Sequence, residues 1–248
     1  MRDRSPALHA PTAPHRVSPP PYDEGMPRRA LPRPVAWAFL PFATVSLLHV
    51  VLLALAHPLA GPTKLLLMPL LAVPVLAAAP RVARRSAVAL LLAALVFSWL
   101  GDGAGALFPA APELPLMLAF FGIAHVAYIV LFSRHLAQRR LPWWTLVYAA
   151  WWVAMILALG PHTGPLLIGV AAYGLLLGGT AAIAARCHPL VAMGGVFFLT
   201  SDTILGFRLF LPDALPAWSS PAVMATYTLG QGLLVAGALL VLTRRRDA

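Results

Sequence analysis

The sequence predicts an all-α, polytopic membrane protein with eight transmembrane helices. Three observations lead there. Sixty per cent of the 248 residues are apolar and ten per cent charged, where soluble domains carry nearer ~25% charged residues. The apolar residues gather in eight runs, each close to the ~20 residues a helix needs to cross a bilayer. The basic residues fall almost wholly in alternate connections between those runs. One small core cannot hide this much apolar surface, so a soluble globular protein is excluded.

Taken in order, residues 1–34 carry nine Pro and six Arg and no aliphatic run. Such a stretch cannot offset the entropy of ordering and is predicted to be a disordered cytoplasmic tail. Apolar sequence begins only at Val35, further from the start than in a secretory signal. The runs lie near 36–57, 64–80, 87–106, 114–133, 142–159, 164–185, 190–210 and 221–242. Turn residues separate them: His57-Pro58, Gly61-Pro62, Pro80, Pro109 to Pro115, Arg139 to Pro142, Gly160-Pro161, His188-Pro189 and Pro212 to Pro221. Lipid offers unpaired backbone groups no water, so each run must be a helix or part of a closed barrel. Runs of this length without period-two alternation are helices. Residues 35–243 are therefore the membrane domain, and 244–248 a basic cytoplasmic end.

Charge placement tests the count. With eight helices, sixteen of the eighteen basic residues share the side of the N-terminus, and only Lys64 and Arg208 lie toward the other. This positive-inside bias predicts a multi-pass protein with both termini cytoplasmic, and the Arg-, Ala- and Pro-rich usage fits a cell's inner membrane. The bias also explains the net charge of +10 without nucleic acid. The arginines form a fringe suited to the anionic headgroups of the bilayer. A single cysteine, Cys187, excludes an internal disulfide. Trp37, Trp143, Trp144 and Trp218 sit at span ends as interfacial anchors. Gly174-x3-Gly178 should allow close helix packing, and Pro69 and Pro74 should bend the second span.

Ionisable groups inside a span cost about 2.5–3.5 kcal/mol each, so each needs an explanation. Asp102 lies late in the third span and Asp202 in the outer half of the seventh. In the fourth, Phe121, His125 and Tyr128 share one face by their spacing of three and four. In the eighth, Tyr227 and Gln231 do the same. Lys64 opens the second span, Arg208 closes the seventh, and Ser201 precedes Asp202. All but His125 and its neighbour Tyr128 fall in the extracytoplasmic half, which a shared polar pocket there explains with one assumption. Each residue also has a plain structural reading: an aspartate near a helix end reaches water, His125 packs through a hydrogen bond, Tyr227 and Gln231 join helices, and Lys64 and Arg208 snorkel. His49 and His57 show no partner in the sequence and read as structural.

A weak internal echo accompanies the aspartates. Val96-Phe97 and Val196-Phe197 precede them at equal intervals, and Thr63, Leu66 and Leu67 recur as Thr163, Leu166 and Leu167. The common offset suggests a parallel four-plus-four repeat about an axis along the membrane normal.

Leu100-Gly101-Asp102, Phe121-x3-His125-x2-Tyr128, Ser201-Asp202 and Tyr227-x3-Gln231, in that order and on those helices, resemble the YhhN-like family, whose animal members are lysoplasmalogenases. Thr63-Lys64-Leu65-Leu66-Leu67-Met68-Pro69 resembles its second-helix signature. The resemblance spans roughly residues 36–242. It departs from the family pattern at Leu65, where proline is usual, at Gly103-Ala104-Gly105, where bulky aliphatics are usual, and at Thr228, where a second tyrosine is frequent.

The resemblance implies a membrane hydrolase that cleaves the vinyl-ether bond of a lysophospholipid, giving a fatty aldehyde and a glycerophospho-base. Such a bond breaks by protonation of its β-carbon and capture of the resulting oxocarbenium ion by water. Two carboxyl groups in different environments can divide that work, one as acid and one as anion. On this expectation deeper Asp202 is the acid, and Asp102, nearer Lys64, stays ionised. His125 and Tyr128 relay protons or place water. Lys64 or Arg208 holds the lipid phosphate, with Ser201, Tyr227 and Gln231 as further substrate contacts. No cofactor is required, and one intramembrane histidine with two aspartates is a thin zinc set. Two other classes fit the same residues: a proton-coupled transporter of a lipid or small solute, and an interaction scaffold. The sequence does not speak to oligomeric state.

Overall fold

Long apolar runs closed by proline and glycine become eight helices, each long and apolar enough to cross a membrane. They are α1 (Arg33–Ala54), α2 (Ala60–Arg81), α3 (Arg85–Asp102), α4 (Glu113–Leu136), α5 (Trp143–His162), α6 (Gly164–Ala184), α7 (Pro189–Phe210) and α8 (Ser219–Arg244). The computed structural model describes residues 30–244. The predicted tail lies outside the described residues up to position 29, as do 245–248 of the basic end. Among the described residues there is no strand.

Several boundaries differ from the sequence expectation, and proline explains most of them. α1 opens at Arg33, inside the predicted tail, because Pro34 sits in the first turn where its missing N–H costs nothing. The helix breaks at Ala38 and Phe39 and resumes at Leu40, where Pro41 again occupies a first turn. α2 absorbs Gly61-Pro62 at its start and stays continuous through Pro69 and Pro74 to Ala78. α5 runs on through Gly160-Pro161 as a 3-10 turn. α3 stops at Asp102 rather than near 106, because Gly103 leaves the helical region and a separate turn of helix follows at Ala104–Leu107. α4 ends in a π-helical turn, Phe132–Leu136.

Six helices close a ring in the order α2, α3, α4, α6, α7, α8, with α8 returning to α2. α1 packs outside the ring on α2 and α8, and α5 outside it on α6 and α7. The ring maps onto itself when every helix is advanced by four, which accords with the parallel repeat suggested by the echo. The outer pair departs from that relation, since α1 leans on α8 whereas α5 leans on α7.

The tightest contact is α7 on α8, and glycine makes it. A methyl group added at Gly194 would lie 2.7 Å from the backbone nitrogen of Leu234, and one at Gly230 would lie 2.8 Å from that of Phe198. Gly237 meets Val191 in the same way, at 2.8 Å from its nitrogen. Small residues let helix backbones touch, which is how helices gain packing energy where lipid supplies no hydrophobic drive. α8 is consequently the most buried helix. The Gly174–Gly178 pair serves a lesser contact: its faces meet Trp152 and Trp151 of α5.

The arginines gather at one end, which we call the Arg-rich end. There Gln138 donates its backbone N–H to the Arg186 carbonyl (2.9 Å) and the Arg186 Nε donates to the Arg139 carbonyl (3.1 Å), tying two connections together. Burial and the charges of Arg244 and Arg139 hold the His188 imidazole below its ordinary range, so it stays neutral and its Nδ1 accepts from the Leu190 N–H to cap α7. Burial pushes the Cys187 thiol up to about 11, away from thiolate chemistry.

Gly230→Ala is expected to destabilise the protein in detergent by about 1–3 kcal/mol through overpacking, read as a lower unfolding midpoint. Gly61→Ala, whose new methyl meets nothing within 4 Å, should leave the midpoint unchanged or slightly raised.

Candidate functional site

The ring does not pack solidly. At the end away from the arginines a cavity of about 150 Å³ lies between the ring and α5, lined by residues of every helix except α1. Most of the wall is apolar: Leu114, Met117 and Leu118 of α4, Trp151, Trp152, Met155 and Ile156 of α5, and Leu205 and Leu209 of α7. Six polar side chains interrupt it, namely Lys64, Asp102, Tyr173, Ser201, Asp202 and Tyr227.

Asp102 reaches this wall because α3 ends at it and the chain turns away at Gly103. Its side chain is 4% exposed, and its Oδ1 lies 3.6 Å from the Lys64 ammonium, which is 34% exposed. The Tyr227 hydroxyl donates to Oδ2 at 2.7 Å. Behind Tyr227, the Gln231 amide donates to the Tyr227 oxygen (3.4 Å) and to the Ser98 hydroxyl (3.0 Å), and it accepts from the Tyr128 hydroxyl (2.5 Å). Asp102 thus faces a cation and a fixed O–H donor, the surroundings of an anion.

Asp202 sits mid-helix in α7 and has other company. The Tyr173 hydroxyl of α6 donates to its Oδ2. On the far side of Tyr173 lies Nε2 of His125 at 3.4 Å. The His125 Nδ1 is 3.0 Å from the Thr180 hydroxyl, whose own proton goes to the Leu176 carbonyl at 2.9 Å. Among the described residues no cation forms an ion pair with Asp202. Each aspartate therefore owns a separate tyrosine and a separate polar chain leading back into the bundle.

An aromatic cluster backs the cavity wall. Phe121, Phe198 and Tyr227 meet edge to face at centroid distances of 5.4–6.4 Å, and His125 meets Phe198 in an edge contact at 4.8 Å. Gly101 makes room for this cluster, since a methyl there would lie 2.6 Å from the Phe121 ring. Gly103 does the same for Leu65, at 2.9 Å from its Cδ2. The Leu65 carbonyl in turn accepts from the Trp99 indole at 2.9 Å.

Of the residues singled out from sequence, Lys64, Asp102, Ser201, Asp202 and Tyr227 face one cavity. Ser201 donates its hydroxyl to the Val223 carbonyl at 3.0 Å, tying α7 to α8. His125, Tyr128 and Gln231 are buried behind the wall. Arg208 does not line the cavity; its Nη1 donates to the Ser219 hydroxyl (2.5 Å) at the start of α8. His49, without a visible partner in sequence, lies 3.0 Å from the Thr63 hydroxyl beside Lys64, and His57 accepts from the Leu59 N–H at 3.2 Å. Tyr173 was not singled out, nor were Thr180 and Ser98. Tyr173 and Thr180 stand seven residues apart in an otherwise apolar helix, two turns on one face, so a signal was there. Among the described residues no three His, Cys, Asp or Glu side chains converge on one point.

No curated protein and no solved structure matches the chain. A family model does match, over residues 59–238. That stretch holds Lys64, both aspartates, His125, Tyr128, Tyr173, Tyr227 and Gln231, so the cavity and its two polar chains lie wholly inside it. The chain belongs to the YhhN family.

Proposed function

We propose that this protein hydrolyses the vinyl-ether bond of a lysoplasmalogen-type lysophospholipid. The observation that carries the reading is one apolar cavity holding two carboxyl groups whose partners differ in charge. An apolar wall with a polar patch fits a single-chain amphiphile, its hydrocarbon against α4, α5 and α7 and its glycerol end among the polar side chains. Family membership supports the same class of reaction.

In this mechanism Asp202 delivers its proton to the β-carbon of the vinyl ether. The α-carbon becomes an oxocarbenium ion, which Asp102 stabilises as an anion held in place by Lys64 and Tyr227. Water adds to the α-carbon and its proton returns to Asp202. The hemiacetal then breaks to a fatty aldehyde and the free glycerol hydroxyl. General acid catalysis of this kind contributes about 10²–10⁴-fold. Tyr128, Gln231 and Ser98 act through Tyr227 rather than on substrate. Lys64 is the cation placed to meet the headgroup phosphate; Arg208, committed to Ser219, keeps the α7–α8 connection instead.

Orientation belongs to the same proposal. The positive-inside bias makes the Arg-rich end cytoplasmic, so the cavity lies in the outer half of the inner membrane. An open channel would need a continuous path to the other side, whereas Phe121 and Tyr227 of the wall pack against Phe198 behind it.

Three outcomes follow. Purified protein in detergent micelles should release fatty aldehyde from a 1-alkenyl lysophospholipid, measured by mass spectrometry; a transporter would give none. Asp202→Asn should lower kcat by about 10²–10⁴-fold, and Asp102→Asn by about 10²–10³-fold as a lost charge stabiliser. Unchanged aldehyde release in the Asp202 variant would remove it from the acid role.

A further inference from the structure

The geometry points to Tyr173 as a hydrogen-bond switch that holds Asp202 in both of its protonation states, with His125 as the acceptor for the second state. The inference rests on the reading of Asp202 as proton donor and assigns three residues to positioning it.

Proton counting along the chain carries the argument. The Thr180 hydroxyl spends its proton on the Leu176 carbonyl at 2.9 Å, so toward His125 its oxygen can only accept. His125 Nδ1, at 3.0 Å, must then be the protonated ring nitrogen. That leaves Nε2 with a lone pair, 3.4 Å from the Tyr173 hydroxyl. Tyr173 therefore has two acceptors, Asp202 Oδ2 and His125 Nε2, and one proton. When Asp202 is ionised the tyrosine donates to it. When Asp202 carries a proton, the carboxyl donates to the tyrosine oxygen and the tyrosine donates to Nε2. With Asp202 ionised, the Nε2 lone pair is left without a donor; with Asp202 protonated, Tyr173, His125 Nε2 and Nδ1 and Thr180 are all paired, so the chain favours the protonated carboxyl by about one hydrogen bond.

During the reaction the Asp202 O–H bond breaks as the new C–H bond forms, and the Tyr173 O–H turns from Nε2 to Oδ2. Water addition returns the proton to Asp202 and Tyr173 turns back. The tyrosine's own O–H bond never breaks. Nothing comparable serves Asp102, whose tyrosine oxygen meets an amide donor instead of an acceptor. Titratable groups facing Asp202 are Tyr173 from α6, Tyr227 from α8, and across the cavity Lys64 from α2 and Asp102 from α3; α5 presents Trp151, Trp152 and Met155 there.

The test is an infrared pH titration of the purified protein without substrate, following the carbonyl stretch of a protonated carboxyl that Asp202→Asn abolishes. Thr180→Val is close in shape and removes the oxygen that fixes the His125 tautomer. The imidazole can then protonate Nε2, the second acceptor is lost, and the ionised carboxylate is favoured. The midpoint should fall by about one pH unit, the worth of one hydrogen bond, while Thr180→Ser should match wild type. Repeating the titration in an Asp102→Asn background removes coupling between the two carboxyls. In aldehyde release, the high-pH limb of kcat should move down in Thr180→Val by the same amount. A midpoint that Thr180→Val leaves in place, or no titrating band that Asp202→Asn removes, overturns the switch. Absence of hydrolysis with the midpoint shift intact would instead overturn the lysoplasmalogenase reading alone.

Discussion

A carboxyl group inside an apolar bundle has no solvent to pair with, so every oxygen must find its partner among the helices around it. That constraint organises the centre of this molecule. Asp102 is answered by Lys64 and Tyr227, and Asp202 by Tyr173. Each partner is itself held: Tyr227 by Gln231, with Ser98 and Tyr128 behind it, and Tyr173 beside His125 and Thr180. Eight of these ten groups are contributed by α3, α4, α6 and α8, so the polar chains also pin the ring's register. Intramembrane hydrogen bonds are individually weak, and taking a carboxyl out of water carries a desolvation cost.

Packing decides where that cost can be borne. Backbone contact through Gly194, Gly230 and Gly237 locks α7 onto α8, which fixes Asp202 and Tyr227 on adjoining helices. At the opposite wall, Gly101 admits Phe121 and Gly103 admits Leu65. The space beside Gly103 is filled by Leu107 and Leu65, which a methyl there would meet at 2.7 and 2.9 Å, and the end of α3 is left beside Lys64.

The two aspartates show how position alone separates like residues. Both follow a Val-Phe pair by the same interval, and both helices run in the same direction within a ring that maps onto itself by a shift of four. Yet one stands at a helix end beside an ammonium group and the other mid-helix beside a phenol. Opposite charge favours an ionised carboxyl, and a neutral low-polarity site favours the protonated one. A near-repeat in the chain thus yields two unlike environments.

The number of helices, their order and the side on which the arginines gather were determined by the sequence, because run length and charge placement are local quantities that lipid reads directly. Asp102, Asp202, Lys64, Tyr227 and Gln231 were legible for a related reason: polar groups are rare in such runs and each stands out. Boundaries were less so, since Pro34, Pro41 and Pro62 fall in first turns that helices tolerate, and Pro161 in a closing 3-10 turn, rather than in breaks. Only the tertiary structure decided which polar residues touch. Tyr173 on α6 meets Asp202 on α7, Arg208 turns to Ser219, and His49 finds Thr63. Those pairings depend on helix rotation and ring order, which follow from glycine-mediated contacts between helices distant in the chain, and no periodicity within a single run encodes them.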